Sequence, residues 1–204
     1  MSLPNAEPPV FLIVAGPNGS GKSSVYQNAD IEWGGRSVRI INPDLLAARI
    51  SQIEAMRLPA ANLSAVQRIE AWLDTSIQAH QTVGVETVLS TGKYRRLVTA
   101  AHQIGFEVWL LYVMLDSPDR NVERVRLRVR KGGHDVAEAD IRRRYENSFG
   151  QLPWFLEQAD RAWLFDNSGA QPRTIGEKQG GVITLDRSAH PRAVAAVEQV
   201  GGVK

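Results

Sequence analysis

Val10-Phe11-Leu12-Ile13-Val14-Ala15 runs without a break into Gly16-Pro17-Asn18-Gly19-Ser20-Gly21-Lys22-Ser23. The first six residues are uniformly apolar and lie between Pro8–Pro9 and Gly16–Pro17, which is how a strand buried on both faces reads. The next eight match Gly-x-x-x-x-Gly-Lys-Ser/Thr at every fixed position. A loop that curls around phosphate oxygens must turn consecutive backbone N–H groups inward, and side chains obstruct that turn, so glycine recurs. The helix that follows offers its positive N-terminal end to the anion. Lys22 adds a flexible point charge near the β- and γ-phosphates, and Ser23 adds a hydroxyl ligand for Mg²⁺. Gly16, Asn18, Gly19, Ser20, Gly21, Lys22, Ser23 and Ser24 are therefore the expected nucleotide-binding residues, with Ser23 on the metal.

Working outward, strand patterns recur at 37–42, 83–89, 107–116 and 161–168. Helical spacing covers 21–29, 44–57, 64–81 with a break at Pro59, 93–104 ending at the C-cap candidate Gly105, 118–130, 137–149 and a short stretch at 153–158. A β-hairpin around Gly180–Gly181 is expected over 172–186, and a helical tail over 190–199. Strands alternating with helices argue for an α/β fold. The expectation is one P-loop NTPase domain over 1–204, with a parallel sheet of about five strands and helices on both faces. A helical lid at about 118–149 and a C-terminal hairpin and helix complete it. The Pro-rich residues 1–9 are expected to be frayed.

Composition narrows the chemistry. The 204 residues contain no cysteine, so a disulfide scaffold, a cysteine nucleophile and a thiolate zinc site are excluded. The four histidines, His80, His102, His134 and His190, are dispersed and make no His-Glu-x-x-His pattern. A formal net charge of +2 is too small to argue for nucleic acid. The basic residues instead gather at 120–131 and 142–144, which suits phosphates as well as a nucleic-acid backbone. No stretch has the length of a membrane span, and the N-terminus lacks the charge and apolar core of a signal peptide, so a cytoplasmic protein is expected.

A P-loop alone specifies a nucleotide. The guanine-reading Asn-Lys-x-Asp is absent. A small kinase needs a carboxylate for the acceptor hydroxyl, a magnesium shell and mobile cations around the γ-phosphate. Asp44, just after the second strand in Ile40-Ile41-Asn42-Pro43-Asp44, is either that base or an acid in the first turn of the next helix. Glu86 ends the third strand and either reaches the same edge or is an ordinary surface acid. Asp116 resembles a Walker B aspartate, but Asp116-Ser117-Pro118 is good helix-start chemistry and is read as that. Arg124, Arg126, Arg128 and Arg130 alternate and cannot share one helix face, so most are solvated or paired. Lys131-Gly132-Gly133-His134 joins two basic helices as a lid hinge would.

These segments together resemble the zeta toxin family of P-loop kinases. The resemblance runs from about Val10 to Ser168 and rests on GPNGSGKSS (16–24), INPD (41–44), VETVLS (85–90), RVRLRVRKGGHDV (124–136), IRRRYENS (141–148) and FDNSG (165–169). It implies an ATP- and Mg²⁺-dependent phosphotransferase with an alcohol group as acceptor. Within it Asp44 is the base, and Glu86 with Thr87 contacts the sugar substrate. Arg128 and Arg144, with Arg142 the nearest competitor, stabilise the transferring phosphate beside Lys22, and Asn167 lies by the nucleotide base. The characterised toxins phosphorylate UDP-N-acetylglucosamine, and the family brings a possible antitoxin partner. Two alternatives stand beside this small-molecule kinase. One is a nucleic-acid-end kinase or nucleotide-gated RNA/DNA binder, against which the sparse aromatics in the basic segments count. The other is a non-catalytic interaction protein with a relic P-loop.

Overall fold

A computed structural model describes residues 7–28 and 38–200. Most of the N-terminal segment expected to be frayed, and Ser37 at the start of the second expected strand, lie outside the described residues. The chain forms β1 (Val10–Ala15), α1 (Lys22–Asn28), β2 (Ile40–Ile41), α2 (Pro43–Ile53), α3 (Leu58–Gln78), β3 (Val83–Thr87), α4 (Arg95–Gln103), β4 (Glu107–Met114), α5 (Pro118–Arg130), α6 (Glu138–Gln158), β5 (Arg161–Asp166), β6 (Arg173–Gln179), β7 (Val182–Leu185) and α7 (Pro191–Glu198).

One seven-stranded sheet has the order β2-β3-β1-β4-β5-β6-β7. The first five strands in that order pair in parallel, whereas β5–β6 and β6–β7 pair antiparallel. The expected five-stranded parallel sheet is thus corrected to a mixed seven-stranded one. The hairpin is not an appendage, because β6 hydrogen-bonds to the free edge of β5 and extends the sheet.

β1 and β4 are central and buried on both faces, which is why they read as unbroken apolar runs. Their alternate side chains feed two cores. Phe11, Ile13, Leu110, Tyr112 and Met114 pack with α3, α4, α6 and α7, and Val10, Leu12, Val14, Trp109, Leu111 and Val113 pack with Val25 of α1. Parallel pairing of β3, β1 and β4 brings the ends at Thr87, Ala15 and Met114 to one edge. Every sequence-derived phosphate and acceptor candidate hangs from that edge or from the helices beyond it.

One helix boundary differs from expectation at a proline. Residues 137–149 and 153–158 were expected as separate helices, yet α6 runs continuously through Pro153. Proline removes one backbone donor there, but Tyr145, Phe149, Leu152, Phe155 and Leu156 bury one continuous face that holds both halves in line. The break expected at Pro59 between two helices is present at 54–57, and Pro59 itself occupies the first turn of α3, where its missing N–H costs nothing.

Candidate functional site

The phosphate loop connects β1 to α1. Close packing dictates its glycines. Gly16 has φ +141°, and a Cβ there would lie 2.0 Å from the Val113 carbonyl oxygen; Gly21 has φ +85°, and a Cβ would lie 2.4 Å from Asn167 Nδ2. Lys22 is only 7% exposed. Its ammonium donates to the carbonyls of Gly16 at 2.9 Å and Pro17 at 3.2 Å, and stands 3.9 Å from Glu86 Oε1. Burial lowers its pKa, the Glu86 and Asp44 carboxylates oppose that shift, and the Arg128 guanidinium reinforces it. Lys22 therefore feels all three charged residues at once. A cation taken out of water and held chiefly by carbonyls has unspent attraction for an anion.

Ser23 Oγ donates to Glu86 Oε2 at 2.8 Å. This pairing ties the first turn of α1 to the end of β3 across the parallel β1–β3 register. Tyr26, one turn further along α1, borders the same acid: burial raises its phenol pKa, and the Glu86 carboxylate raises it further. Thr87 Oγ1 accepts from the Leu89 N–H at 3.1 Å and shapes the turn that follows β3, where Leu89 adopts φ +58°. The donor set fits a polyphosphate with magnesium. A hydroxyl and a carboxylate, both oxygen donors, stand together at the N-terminus of α1. Ser20 Oγ is buried without a protein partner, 3.1 Å from where a Gly16 Cβ would stand, inside the curl of the loop.

Asn42 caps α2, accepting from the N–H groups of Asp44 (2.9 Å) and Leu45 (3.3 Å). The capping role belongs to Asn42, and the exposed Asp44 carboxylate in the first turn acts on Lys22 across the edge of the sheet. Opposite it, Arg128 Nη2 donates to the His134 carbonyl at 2.8 Å, while Arg128 Nε is buried without a partner. Arg142 is committed elsewhere: it bridges Glu138 and Asp119, and those carboxylates raise its pKa. Arg144 stands half-buried on α6, outside the contacts that join Lys22, Asp44, Glu86 and Arg128. Asp116 pairs with Arg120 at 2.9 Å, and Ser117 caps α5 by accepting from the Arg120 N–H, which is the helix-start arrangement.

One buried polar residue of α5 escaped the sequence reading, and the side chains around it complete a network with the phosphate loop. Asn121 is fully buried, and its Nδ2 donates to the Asn18 carbonyl. Asn167 Nδ2 donates to the Ser20 carbonyl at 2.8 Å, and Arg124 Nη2 donates to the Asn167 carbonyl at 2.7 Å. Asn121 and Tyr26 carried no signal in spacing, whereas Asn167 came from the family resemblance and Arg124 from the Arg-rich segment. Only the crossing of α5 over the phosphate loop reveals Asn121. The link Asn18–Asn121 and the chain Ser20–Asn167–Arg124 collar the loop from the side of α5.

Two cavities adjoin this cluster. One, of about 410 Å³, is lined by Gly19, Gly21, Ser24, Arg124, Leu127, Arg128, Lys131 and Gly133. The other, of about 210 Å³, involves Asp44, Asn62 and His134. A larger cavity of about 760 Å³ lies around Glu107, Trp109 and Arg161. These residues belong to the starts of β4 and β5, the edge away from the phosphate loop, so the larger cavity has no part in this cluster. Among the described residues, no group of three or more His, Cys, Asp and Glu side chains is arranged to hold a metal ion. No described helix is long and apolar enough to cross a membrane.

The sequence profile of a family described as an AAA domain matches residues 11–149. An uncharacterized protein of Haemophilus influenzae is 29% identical over 136 residues, covering 66% of this chain and 91% of that protein. Among solved structures, a chain of the AvrRxo1-ORF1:AvrRxo1-ORF2 complex with sulphate ions superposes with a TM-score of 0.68 at 13% identity, covering 97% of this chain. The ATP-bound form of that complex gives 0.66 at 14% identity, again over 97% of this chain. In the two forms the chain spans 65% and 64% of the length of the relative. The PezAT chromosomal toxin–antitoxin system of Streptococcus pneumoniae gives 0.62 at 14% identity, covering 97% of this chain and 79% of the relative. These likenesses show that the chain shares its fold with those structures.

Proposed function

Because the chain belongs to the AAA domain family, with a phosphate loop, a buried lysine and two carboxylates at one sheet edge, we propose that it is an ATP-dependent kinase that transfers the γ-phosphoryl group of ATP to a hydroxyl of a sugar-like acceptor. The observation that carries this reading is the buried Lys22 ammonium standing 3.9 Å from Glu86 at the sheet edge where β2 ends and Asp44 enters the first turn of α2. A nucleotide-binding switch or a structural relic has no need for an exposed carboxylate on the acceptor side of the phosphates. A kinase does.

The loop N–H groups and Lys22 hold the β- and γ-phosphates. Magnesium at Ser23 Oγ, steadied by Glu86, would supply charge neutralisation on the phosphate oxygens. Asp44 takes the proton of the acceptor hydroxyl as its oxygen attacks the γ-phosphorus in line. The new O–P bond forms as the bond to the departing ADP breaks, and the proton leaves Asp44 for solvent. Lys22 and Arg128, with Arg144 brought in by the lid, stabilise the charge that spreads over the moving phosphoryl group. Asn167, bonded to the loop, borders the nucleotide on the base side. Glu86 is assigned here to Ser23 and the metal, and Thr87 to the approach of the acceptor.

The ATP-bound AvrRxo1 complex supports nucleotide use, and the PezAT system supports an antitoxin-like protein partner as part of the same reading. The test is a phosphate-transfer screen with γ-labelled ATP over free sugars, aminoglycosides, UDP-sugars, nucleosides and oligonucleotide ends, read by mass. Gain of one phosphoryl group on a hydroxyl acceptor, lost in Asp44→Ala, is the expected result. ATP binding without transfer to any acceptor would remove the kinase reading.

A further inference from the structure

The two cavities beside Lys22 share a wall, since Gly133 lines both. One lies over the phosphate loop, with Gly19, Gly21 and Ser24 in its lining, and is where the nucleotide belongs. The other is closed by α2, α3 and the Gly132-Gly133-His134 segment, and contains Asp44. Resting on the kinase reading, we propose that this second chamber is the acceptor site and that it selects a small uncharged or cationic polyhydroxyl compound, about one sugar ring in size, over any nucleotide-linked sugar.

Three observations carry this. The first is size. The chamber holds about 210 Å³, below the roughly 300–1,000 Å³ of pockets that enclose drug-sized ligands. The second is charge. Among the described residues, Asp44 and His134 are its titratable lining residues, and neither lysine nor arginine is among them. A sugar diphosphate would bring its negative charge against the Asp44 carboxylate, with no cation among the described lining residues to receive it. The basic residues Arg124, Arg128 and Lys131 line the nucleotide cavity on the other side of Gly133. The third is the wall chemistry. Ala47, Ala48 and Leu58 offer an apolar surface of the kind on which the C–H face of a sugar ring rests, and Asn62 offers both a donor and an acceptor for its hydroxyls. The lid presents its carbonyl at His134 to Arg128 at 2.8 Å, so the partition that defines the chamber is pinned by the same arginine that faces the phosphates. Asn62 is thereby a specificity-determining residue, and His134 is the lid residue that faces the acceptor.

The experiment compares each free monosaccharide and aminoglycoside with the corresponding UDP-linked sugar, using the whole protein, and adds Asn62→Leu. Phosphorylation of a free sugar or amino sugar with a kcat/KM at least tenfold above that of its UDP conjugate is expected. Asn62→Leu should raise the KM for that acceptor about tenfold or more while the KM for ATP stays within about twofold. Equal or better use of the UDP conjugate overturns the small-acceptor assignment and leaves the kinase reading intact. So does an Asn62→Leu variant whose KM for the acceptor stays within about twofold of wild type, because Asn62 then makes no contact with the acceptor. Transfer to no acceptor of either kind overturns both.

Discussion

Glu86 Oε2 accepts the Ser23 hydroxyl at 2.8 Å, so the carboxylate that ends β3 holds the hydroxyl that opens α1. Glu86 Oε1 meanwhile lies 3.9 Å from the Lys22 ammonium. One acid thus holds both the Ser23 hydroxyl, which the proposed mechanism puts on the metal, and the Lys22 ammonium, which it puts on the phosphates. Glu86→Gln keeps the shape and removes the charge. Groups that orient a metal ligand cost roughly 10–100-fold in metal affinity when altered. The expected outcome is a rise of that order in the magnesium concentration for half-maximal transfer, read by titration at saturating ATP, with little change in nucleotide binding measured without metal.

Asp44→Ala separates binding from chemistry. The residue lies in the first turn of α2, and the cap that starts that helix is the Asn42 side chain, so its removal leaves the cap in place. General-base contributions run to roughly 10²–10⁴-fold. A fall of that size in kcat is expected with an unchanged Kd for ATP by calorimetry. Full turnover of the variant with its true acceptor would transfer the base role to another residue.

Lys22 gives a prediction in pH. Burial holds its folded pKa below the ordinary 10.5, against the pull of Glu86 and Asp44. Between the folded value and 10.5 the unfolded chain holds the extra proton, so this group makes stability rise with pH through that window. The penalty is constant below the folded value and gone above 10.5. Lys22→Met lacks it. Thermal melts from about pH 7 to 10 should therefore show the wild-type Tm gaining on the Lys22→Met Tm as pH approaches the upper limit. A difference that stays flat across the range would mean that the ammonium is not buried at a cost.

How much of this was legible beforehand depended on whether a residue's role is written in local spacing. β1, the phosphate loop and β4 were readable because central parallel strands are apolar throughout and because the loop's glycines recur at fixed intervals. The hairpin of β6 and β7 was readable as a hairpin. Its joining the sheet was not, since edge pairing is decided by which strand end is left open. Proline 153 was misleading, because the seven buried side chains of α6 outweigh one missing hydrogen bond. In the site, Lys22 and Ser23 come from a motif, whereas Asn121 is an ordinary helix residue until α5 is laid across the loop.

Asn121 tests that last point. Its side chain is fully buried and its Nδ2 is bonded to the Asn18 carbonyl. Asn121→Ala leaves that carbonyl unsatisfied in a dry place, which costs about 1–3 kcal/mol. Chemical denaturation should show a loss of that size. The KM for ATP should rise as well, since the loop that holds the phosphates is no longer pinned to α5.

Arg128 and Arg142 make a paired test of the lid. Arg128 lies on α5 and Arg142 on α6, and their surroundings are opposite. Arg142 is engaged by Glu138 and Asp119 at the surface. Arg128 acts on Lys22 and hydrogen-bonds the lid at His134. Exposed ion pairs contribute little, so Arg142→Ala should leave kcat within about twofold, the size of an ordinary surface substitution. In the proposed mechanism Arg128→Ala removes a charge that stabilises the transferring group, and losing one such donor costs roughly 10²–10³-fold in kcat. Steady-state transfer rates for the two variants decide it: equal losses would mean that the lid acts as a folded unit and that Arg128 has no direct part in the charge stabilisation.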